Sequence, residues 1–204
     1  MISSGKKILP GILWRAADEN VYLTFDDGPD PEVTPKVLDV LDQFNAKATF
    51  FLIGEKVTQH PHIVLQIKQR GHVIGNHSFR HLRMLGMAKE QILEELNQTD
   101  EAILSVTGFR PRLFRPPYGL FGKDLLQALN LTQHRMVLWS ASAKDYQAEA
   151  APEIIERRLL KIAKPGKIIL LHDGHQNSPN TLIALEKSLP ALAASGLHFS
   201  ALES

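Results

Sequence analysis

Apolar positions along the chain switch repeatedly between a strand-like and a helix-like period. Val21-Tyr22-Leu23-Thr24-Phe25 is apolar, aromatic or β-branched throughout and predicts a buried strand. From Val33 to Phe44, residues Val33, Val37, Leu38, Leu41 and Phe44 share one face, the spacing of a helix with Pro35 in its first turn. Ala48 to Ile53 predicts a second strand. Pro61 to Gln69 repeats the helical spacing through Ile63, Val64 and Ile67 and stops at Gly71. His72-Val73-Ile74 predicts a third strand, and Met87 to Val106 the longest helix, with Ile92, Leu96, Ile103 and Val106 inward. Arg112 to Arg115 is a fourth strand, Asp124 to Leu131 a short helix, and Met136 to Trp139 a fifth strand. A helix opened by Pro152 follows as far as Ala163. Lys167 to Leu171 predicts a buried sixth strand, Pro179 to Ala194 a last long helix, and Leu197 to Leu202 a seventh strand.

Seven strands alternating with helices call for βα units and a parallel sheet. With 204 residues the chain suits one domain with a sizeable core. It is short for an eight-fold barrel, so a smaller or irregular barrel is expected before an open sheet. Composition narrows the partners. Twenty-three basic residues against twenty-two acidic ones leave no phosphate-binding excess, so nucleic acid is not expected. The absence of cysteine removes disulfides, thiolate nucleophiles and cysteine zinc sites together. The first twenty residues carry Lys6 and Lys7, but the apolar run Ile8 to Trp14 is short and broken by Pro10-Gly11. Neither a signal peptide nor a membrane span is expected there. The default location is therefore cytoplasmic, and extracytoplasmic if a leader has been removed.

The candidate chemistry collects where strands end. The first strand ends on Asp26-Asp27-Gly28-Pro29, and the third runs into Gly75-Asn76-His77-Ser78-Phe79-Arg80-His81. The fourth ends at Arg115-Pro116-Pro117-Tyr118, the fifth leads to Asp145-Tyr146, and the sixth ends at His172. In parallel βα folds the C-terminal strand ends meet at one mouth. Adjacent residues leaving a strand point apart, so one of Asp26 and Asp27 could hold a metal while the other stays free as a base. Asp-Asp-Gly-Pro alone equally fits an Asp-rich hairpin turn. His77 and His81, four apart on a helical turn or in a tight loop, can reach one ion, although that spacing alone also fits two solvated histidines. Two histidines and a carboxylate make a three-ligand set with a position open for water. His60 and His62 read as surface residues. His72, His134 and His198 fall at element edges. His175 lies near His172 but in a Gly-Asn-Pro loop, and reads as a weaker candidate.

Taken in order, Thr24-Phe25-Asp26-Asp27-Gly28-Pro29, His77-Ser78-Phe79-Arg80-His81, Arg115-Pro116-Pro117-Tyr118, Asp145-Tyr146 and Leu170-Leu171-His172 resemble the motifs of the polysaccharide deacetylases of the NodB-homology type, carbohydrate esterase family four. The resemblance covers residues 21–204 and leaves 1–20 outside it. It implies a single-domain α/β fold, a distorted (β/α)7 barrel, and one divalent metal ion, usually zinc. The implied activity is removal of acetyl groups from N-acetylated sugars, in a peptidoglycan- or chitin-type glycan or an oligosaccharide. Asp27, His77 and His81 would hold the metal and its water nucleophile. Asp26 would be the general base, oriented by Arg115, and His172 the general acid, supported by Asp145. Tyr118 would offer its backbone N–H to the oxyanion, while Tyr146 and Leu170 would line the acetyl pocket and Pro117 the substrate side. Ser142 stands where many members carry an acid, and Tyr146 where many carry tryptophan, so the sugar is not legible. Neither is the oligomeric state. The alternatives are a related hydrolase of a linear or cyclic non-sugar amide and a sugar-binding protein that has lost catalysis. Retention of both Asp26 and His172 argues against the last.

Overall fold

The computed structural model describes residues 11–203. Lys6, Lys7 and the start of the apolar run at Ile8 lie outside the described residues. Eight strands are present: β1 (Ile12–Leu13), β2 (Tyr22–Gly28), β3 (Ala48–Leu52), β4 (Val73–Asn76), β5 (Leu113–Phe114), β6 (Arg135–Val137), β7 (Ala141–Ser142) and β8 (Ile168–His172). Their spatial order is β1-β6-β5-β4-β3-β2-β8-β7, and every pairing is parallel. β6 and β7 belong to one continuous run. That run leaves β5 after Val137, donates from Leu138 N–H to Leu13 and from Ser140 N–H to Ile168, and joins β8 at Ala141. It thereby spans both ends of the strand order and curls the sheet into a distorted barrel. Helices α1 (Val33–Gln43), α2 (Gly54–Gln59), α3 (Pro61–Gln69), α4 (Lys89–Thr107), α5 (Lys123–Thr132), α6 (Pro152–Ile162) and α7 (Ser178–Ala194) alternate with the strands. Among the described residues no helix is long and apolar enough to cross a membrane.

Two differences from the pattern-based reading have physical causes. Leu197 to Leu202 is not a strand. The His198 carbonyl accepts from Val21 N–H, the Phe199 carbonyl accepts from Lys47 N–H, and Leu202 N–H donates to the Thr49 hydroxyl. The segment therefore crosses the foot of two strands instead of running beside one, and keeps a single bridge, Val21 to Phe199. In its place β1 and β7, two residues each, complete the sheet; so short a stretch carries no readable period. α2, six residues opening on Gly54, escaped for the same reason.

Strand parity decides what faces the mouth. Leu23 and Phe25 of β2, Phe50 of β3 and Ile169 and Leu171 of β8 pack outward among the helices, with the Phe25 and Phe50 rings stacked at 5.1 Å. The alternate residues Tyr22, Phe51 and Ile168 fill the barrel with Leu113, Val137 and Leu202. Gly75 makes room for this filling, since a Cβ there would lie 2.5 Å from the Phe51 ring. Continuing the inward parity upward gives Thr24 and Asp26 on β2, and Leu170 and His172 on β8. β2 and β8 are in direct register, Asp26 opposite His172. The period that buries the barrel floor thus also delivers two ionisable side chains to its rim.

Candidate active site

Asp27 stands where β2 ends, at φ +70°, a left-handed conformation that aspartate tolerates better than most residues. That turn sends its carboxylate away from Asp26 and toward the loop after β4. The loop is not helical. It is held by side chains, with Asn76 Oδ1 accepting from Ser78 N–H and Ser78 Oγ from His81 N–H. Buried Glu95 of α4 accepts from the N–H groups of Phe79 and Arg80. Asn76 is fixed in turn by its amide, which donates to the Leu96 carbonyl and to Asp100. His77 Nδ1 lies 2.7 Å from the Arg115 carbonyl. A carbonyl can only accept, so Nδ1 carries the proton and Nε2 is the ring nitrogen turned toward Asp27.

The result is a three-donor cluster. Asp27 Oδ1 is 3.4 Å from His77 Nε2 and 3.1 Å from His81 Nε2, and the three ligand atoms lie within 4.8 Å of one another. Asp27 Oδ1 is buried and has no hydrogen-bond partner. Burial works against its charge, but the surrounding imidazoles outweigh it and hold the carboxyl well below the usual range. Burial and the neighbouring His77 push His81 down to about 4, so it is a neutral donor at neutral pH. An orphaned carboxylate oxygen facing two such imidazoles fits a divalent cation, and the donor set suits zinc.

The backbone under Asp27 is clamped. Lys56 Nζ donates to the carbonyls of Asp27 (2.8 Å) and Gly174 (2.9 Å), tying the ends of β2 and β8 to α2. A Cβ on Gly174 would sit 1.9 Å from the Asp27 carbonyl oxygen, and one on Gly28 would sit 2.6 Å from the Asp173 carboxylate. Asp173 is fully buried, accepts from the Thr34 hydroxyl at 2.5 Å, and is pushed up to about 7 by that burial.

Two carboxylate pairs flank the cluster. Asp26 Oδ1 accepts from Arg115 at 2.7 Å, leaving Oδ2 3.8 Å from His77 Nε2. Arg115 is fully buried across the barrel axis, its guanidinium 4.2 Å from the centroid of the Phe51 ring. It also donates to Thr24 Oγ1 and to the carbonyls of Val137 and Leu138. Burial draws its pKa down, but arginine begins so high that it stays charged. On the other side, His172 Nδ1 is 2.9 Å from Asp145 Oδ1. Asp145 Oδ2 accepts from His172 N–H and from the Thr181 hydroxyl. Burial disfavours a charged His172, yet Asp145, with Asp26 and Asp27 beyond it, raises its pKa to about 9.

These groups open on one cavity of about 480 Å³, lined by Asp26, Asp27, His77, His81 and His172 together with the walls Tyr118, Gly119, Trp139, Tyr146, Leu170 and His175. Arg115 and Asp145 sit behind it. Pro117 is buried and does not reach the wall. Ser142 does not reach it either, and its hydroxyl accepts from Lys144 N–H. Tyr118, at φ +60°, lays its ring 4.8 Å from that of His81. Trp139 and Gly119 were not among the residues singled out from the sequence, and His175, the weaker candidate beside His172, also reaches the wall. Trp139 and Gly119 are one feature, because a Cβ on Gly119 would lie 2.6 Å from the indole.

A sequence model described as polysaccharide deacetylase matches residues 15–137, well over half of the chain. This chain belongs to the polysaccharide deacetylase family. It is 38% identical over 187 residues to a peptidoglycan-N-acetylglucosamine deacetylase of Bacillus cereus, covering 90% of this chain and 67% of that one. It is 36% identical over 189 residues to a chitooligosaccharide deacetylase of Azorhizobium caulinodans, covering 87% and 90%. Among solved structures, a peptidoglycan N-acetylglucosamine deacetylase in complex with 4-naphthalen-1-yl-N-oxidanyl-benzamide superposes with a TM-score of 0.88 at 34% identity, covering 94% of this chain and 91% of that one. The curled parallel sheet alternating with helices is the distorted (β/α)7 barrel of this deacetylase family.

Proposed function

We propose that this protein removes the acetyl group from an N-acetylated sugar, in a glycan or oligosaccharide of the peptidoglycan or chitin type. The observation that carries the reading is the pairing inside one cavity. An arginine-paired carboxylate, Asp26, and a carboxylate-paired imidazole, His172, flank the orphaned Asp27 oxygen and its two histidines. The names of the relatives support the substrate class.

Hydrolysis of an amide needs a deprotonated nucleophile and a protonated leaving amine at the same time. Asp27, His77 and His81 would hold one divalent ion, zinc by its donor set, which when bound polarises the acetyl carbonyl and makes water acidic. Asp26 takes the proton from the attacking water through Oδ2, while Arg115 holds Oδ1. The backbone N–H of Tyr118 donates to the oxyanion that forms on the acetyl oxygen. His172, kept as imidazolium by Asp145, gives its Nε2 proton to the amine and retains Nδ1–H on Asp145. Tyr146, whose ring meets His172 edge-on at 5.7 Å, and Leu170 wall the space for the acetyl methyl.

The test is acetate release from N-acetylglucosamine oligomers and peptidoglycan, with zinc supplied and after chelation. Release that stops on chelation and in Asp26→Asn is expected. A zinc-loaded protein that releases acetate from neither substrate would overturn the proposal.

A further inference from the structure

The reaction leaves one imidazole on the cavity wall unused. His175 lies three residues beyond His172, in the loop between β8 and α7, with its ring 5.7 Å from that of His172 and tilted 55° to it. The loop is built tightly. His175 N–H donates to Ser178 Oγ at 2.9 Å. The amide of Asn177 donates to the carbonyls of Asp145, Gln147 and Ala150, and Asn180 donates to Ala150 and Asn177. The segment carrying His175 and the segment carrying Asp145 and Tyr146 therefore form one unit.

The tautomer of His175 is fixed within this unit. Asn177 N–H approaches His175 Nδ1 at 3.2 Å. A backbone N–H can only donate, so Nδ1 is an acceptor and the ring proton sits on Nε2. Burial and the neighbouring His172 both push the His175 pKa down, so the ring is neutral at neutral pH. Nε2–H has no partner among the described residues and is not enclosed, which leaves it as a donor available to a molecule in the cavity.

Position indicates what that molecule offers. His172 protonates the leaving nitrogen, and His175 is its neighbour on the wall, so the sugar carbon bearing that nitrogen comes within reach of His175. We infer that His175 is a specificity-determining residue whose Nε2–H donates to a sugar hydroxyl vicinal to the acetamido group. This rests on the sugar deacetylase reading above and adds a contact that chooses among amides.

The test compares two substrates and uses one readout independent of turnover. On N-acetylglucosamine oligomers, His175→Ala should raise KM about 3- to 10-fold, the loss of one neutral hydrogen bond, with kcat within about twofold of wild type. On an aryl acetate, which has no sugar, kcat/KM should not change. His175→Gln, which keeps an N–H donor, should restore KM to within about threefold of wild type. In zinc-loaded Asp26→Asn protein with 15N-labelled histidine, an N-acetylglucosamine oligomer should shift the His175 Nε2 signal. An unchanged oligomer KM in both His175 variants would overturn the inference, as would equal losses on oligomer and aryl acetate, which would make His175 a support for His172. An oligomer that shifts the His172 signal and leaves that of His175 in place overturns it while sparing the deacetylase reading. An oligomer that is neither cleaved by the wild type nor moves any histidine signal removes both.

Discussion

Replacing Asp145 by asparagine should turn His172 from a group charged at neutral pH into one that is largely neutral. In the native site the imidazole is raised from an ordinary 6.5 to about 9, against the pull of its own burial. At about 1.4 kcal/mol for each tenfold, that is a preference of roughly 3–4 kcal/mol for the imidazolium. Asp145 leads the groups that supply it, ahead of Asp26 and Asp27. Without that charge burial dominates, and the titration midpoint should fall to about 6.5 or below. At pH 7.5 the ratio of imidazolium to imidazole would drop from about 30:1 to about 1:10, so kcat/KM there should fall about 10-fold and recover toward pH 5.5. The alkaline limb of the pH profile moves down by about two units or more.

The direct assay is the 15N titration of His172 in both proteins, with kcat/KM against pH as the second measurement. The folding contribution carries the same sign. The folded imidazole titrates above the unfolded one, so the pair stabilises the protein fully below about pH 6.5, and that stabilisation is lost as pH rises through about 9. Asparagine also loses an acceptor. Asp145 Oδ2 serves both His172 N–H and Thr181, and an amide nitrogen there would face donors, at a cost of about 1–3 kcal/mol. Thr181→Val, which removes a donor but keeps the charge, separates the two effects and should leave the His172 midpoint high. A His172 midpoint in Asp145→Asn within half a unit of wild type would refute the reasoning.

Three further outcomes follow from the rest of the site. Asp26→Asn should retain about one equivalent of zinc by elemental analysis with little activity, whereas Asp27→Asn should lose the zinc; equal zinc loss in both would make Asp26 a ligand. Arg115→Met leaves a buried carboxylate unpaired, which at about 3–5 kcal/mol corresponds to a Tm lower by roughly 6–20 °C, and adding Asp26→Asn should recover part of it. An Arg115→Met Tm within about 2 °C of wild type would contradict a desolvated pair. Asp173 is raised from 3.8 to about 7, so the folded state holds a proton that the unfolded state has released, and its stability falls as pH rises from about 4 to 7. Asp173→Asn removes that slope, and its Tm relative to wild type should climb between pH 5 and pH 8; parallel pH dependences would count against it.

Much of the fold could be read from the sequence because long strands carry their own parity. In β2, Leu23 and Phe25 alternate with Tyr22, Thr24 and Asp26, and the alternation that separates helix-facing from barrel-facing residues also aims Asp26 into the mouth. β8 repeats this with Leu170 and His172. The four-residue spacing of His77 and His81 left helical turn and loop open. The loop is chosen by Asn76 and by Glu95 on α4, a partner 15 and 16 residues beyond the N–H groups it holds, whose role no local pattern announces.

The walls are harder to read for a different reason. Trp139 lies in the run between β6 and β7 where the chain changes partners, so no parity predicts its direction. Its place in the cavity depends on Gly119, a turn glycine on another segment, having no Cβ. His175 faces the cavity because Asn177 binds three carbonyls of the 145–150 segment. Both residues are oriented by distant backbone, whereas Asp26, Asp27 and His172 are oriented by the strands that carry them. In this barrel Asp26, Asp27 and His172 are therefore set by local periodicity, and the cavity walls are set by how loops meet. Substitution at Gly119, which is assigned no proton to move, should accordingly alter the choice of substrate before it alters the pH profile.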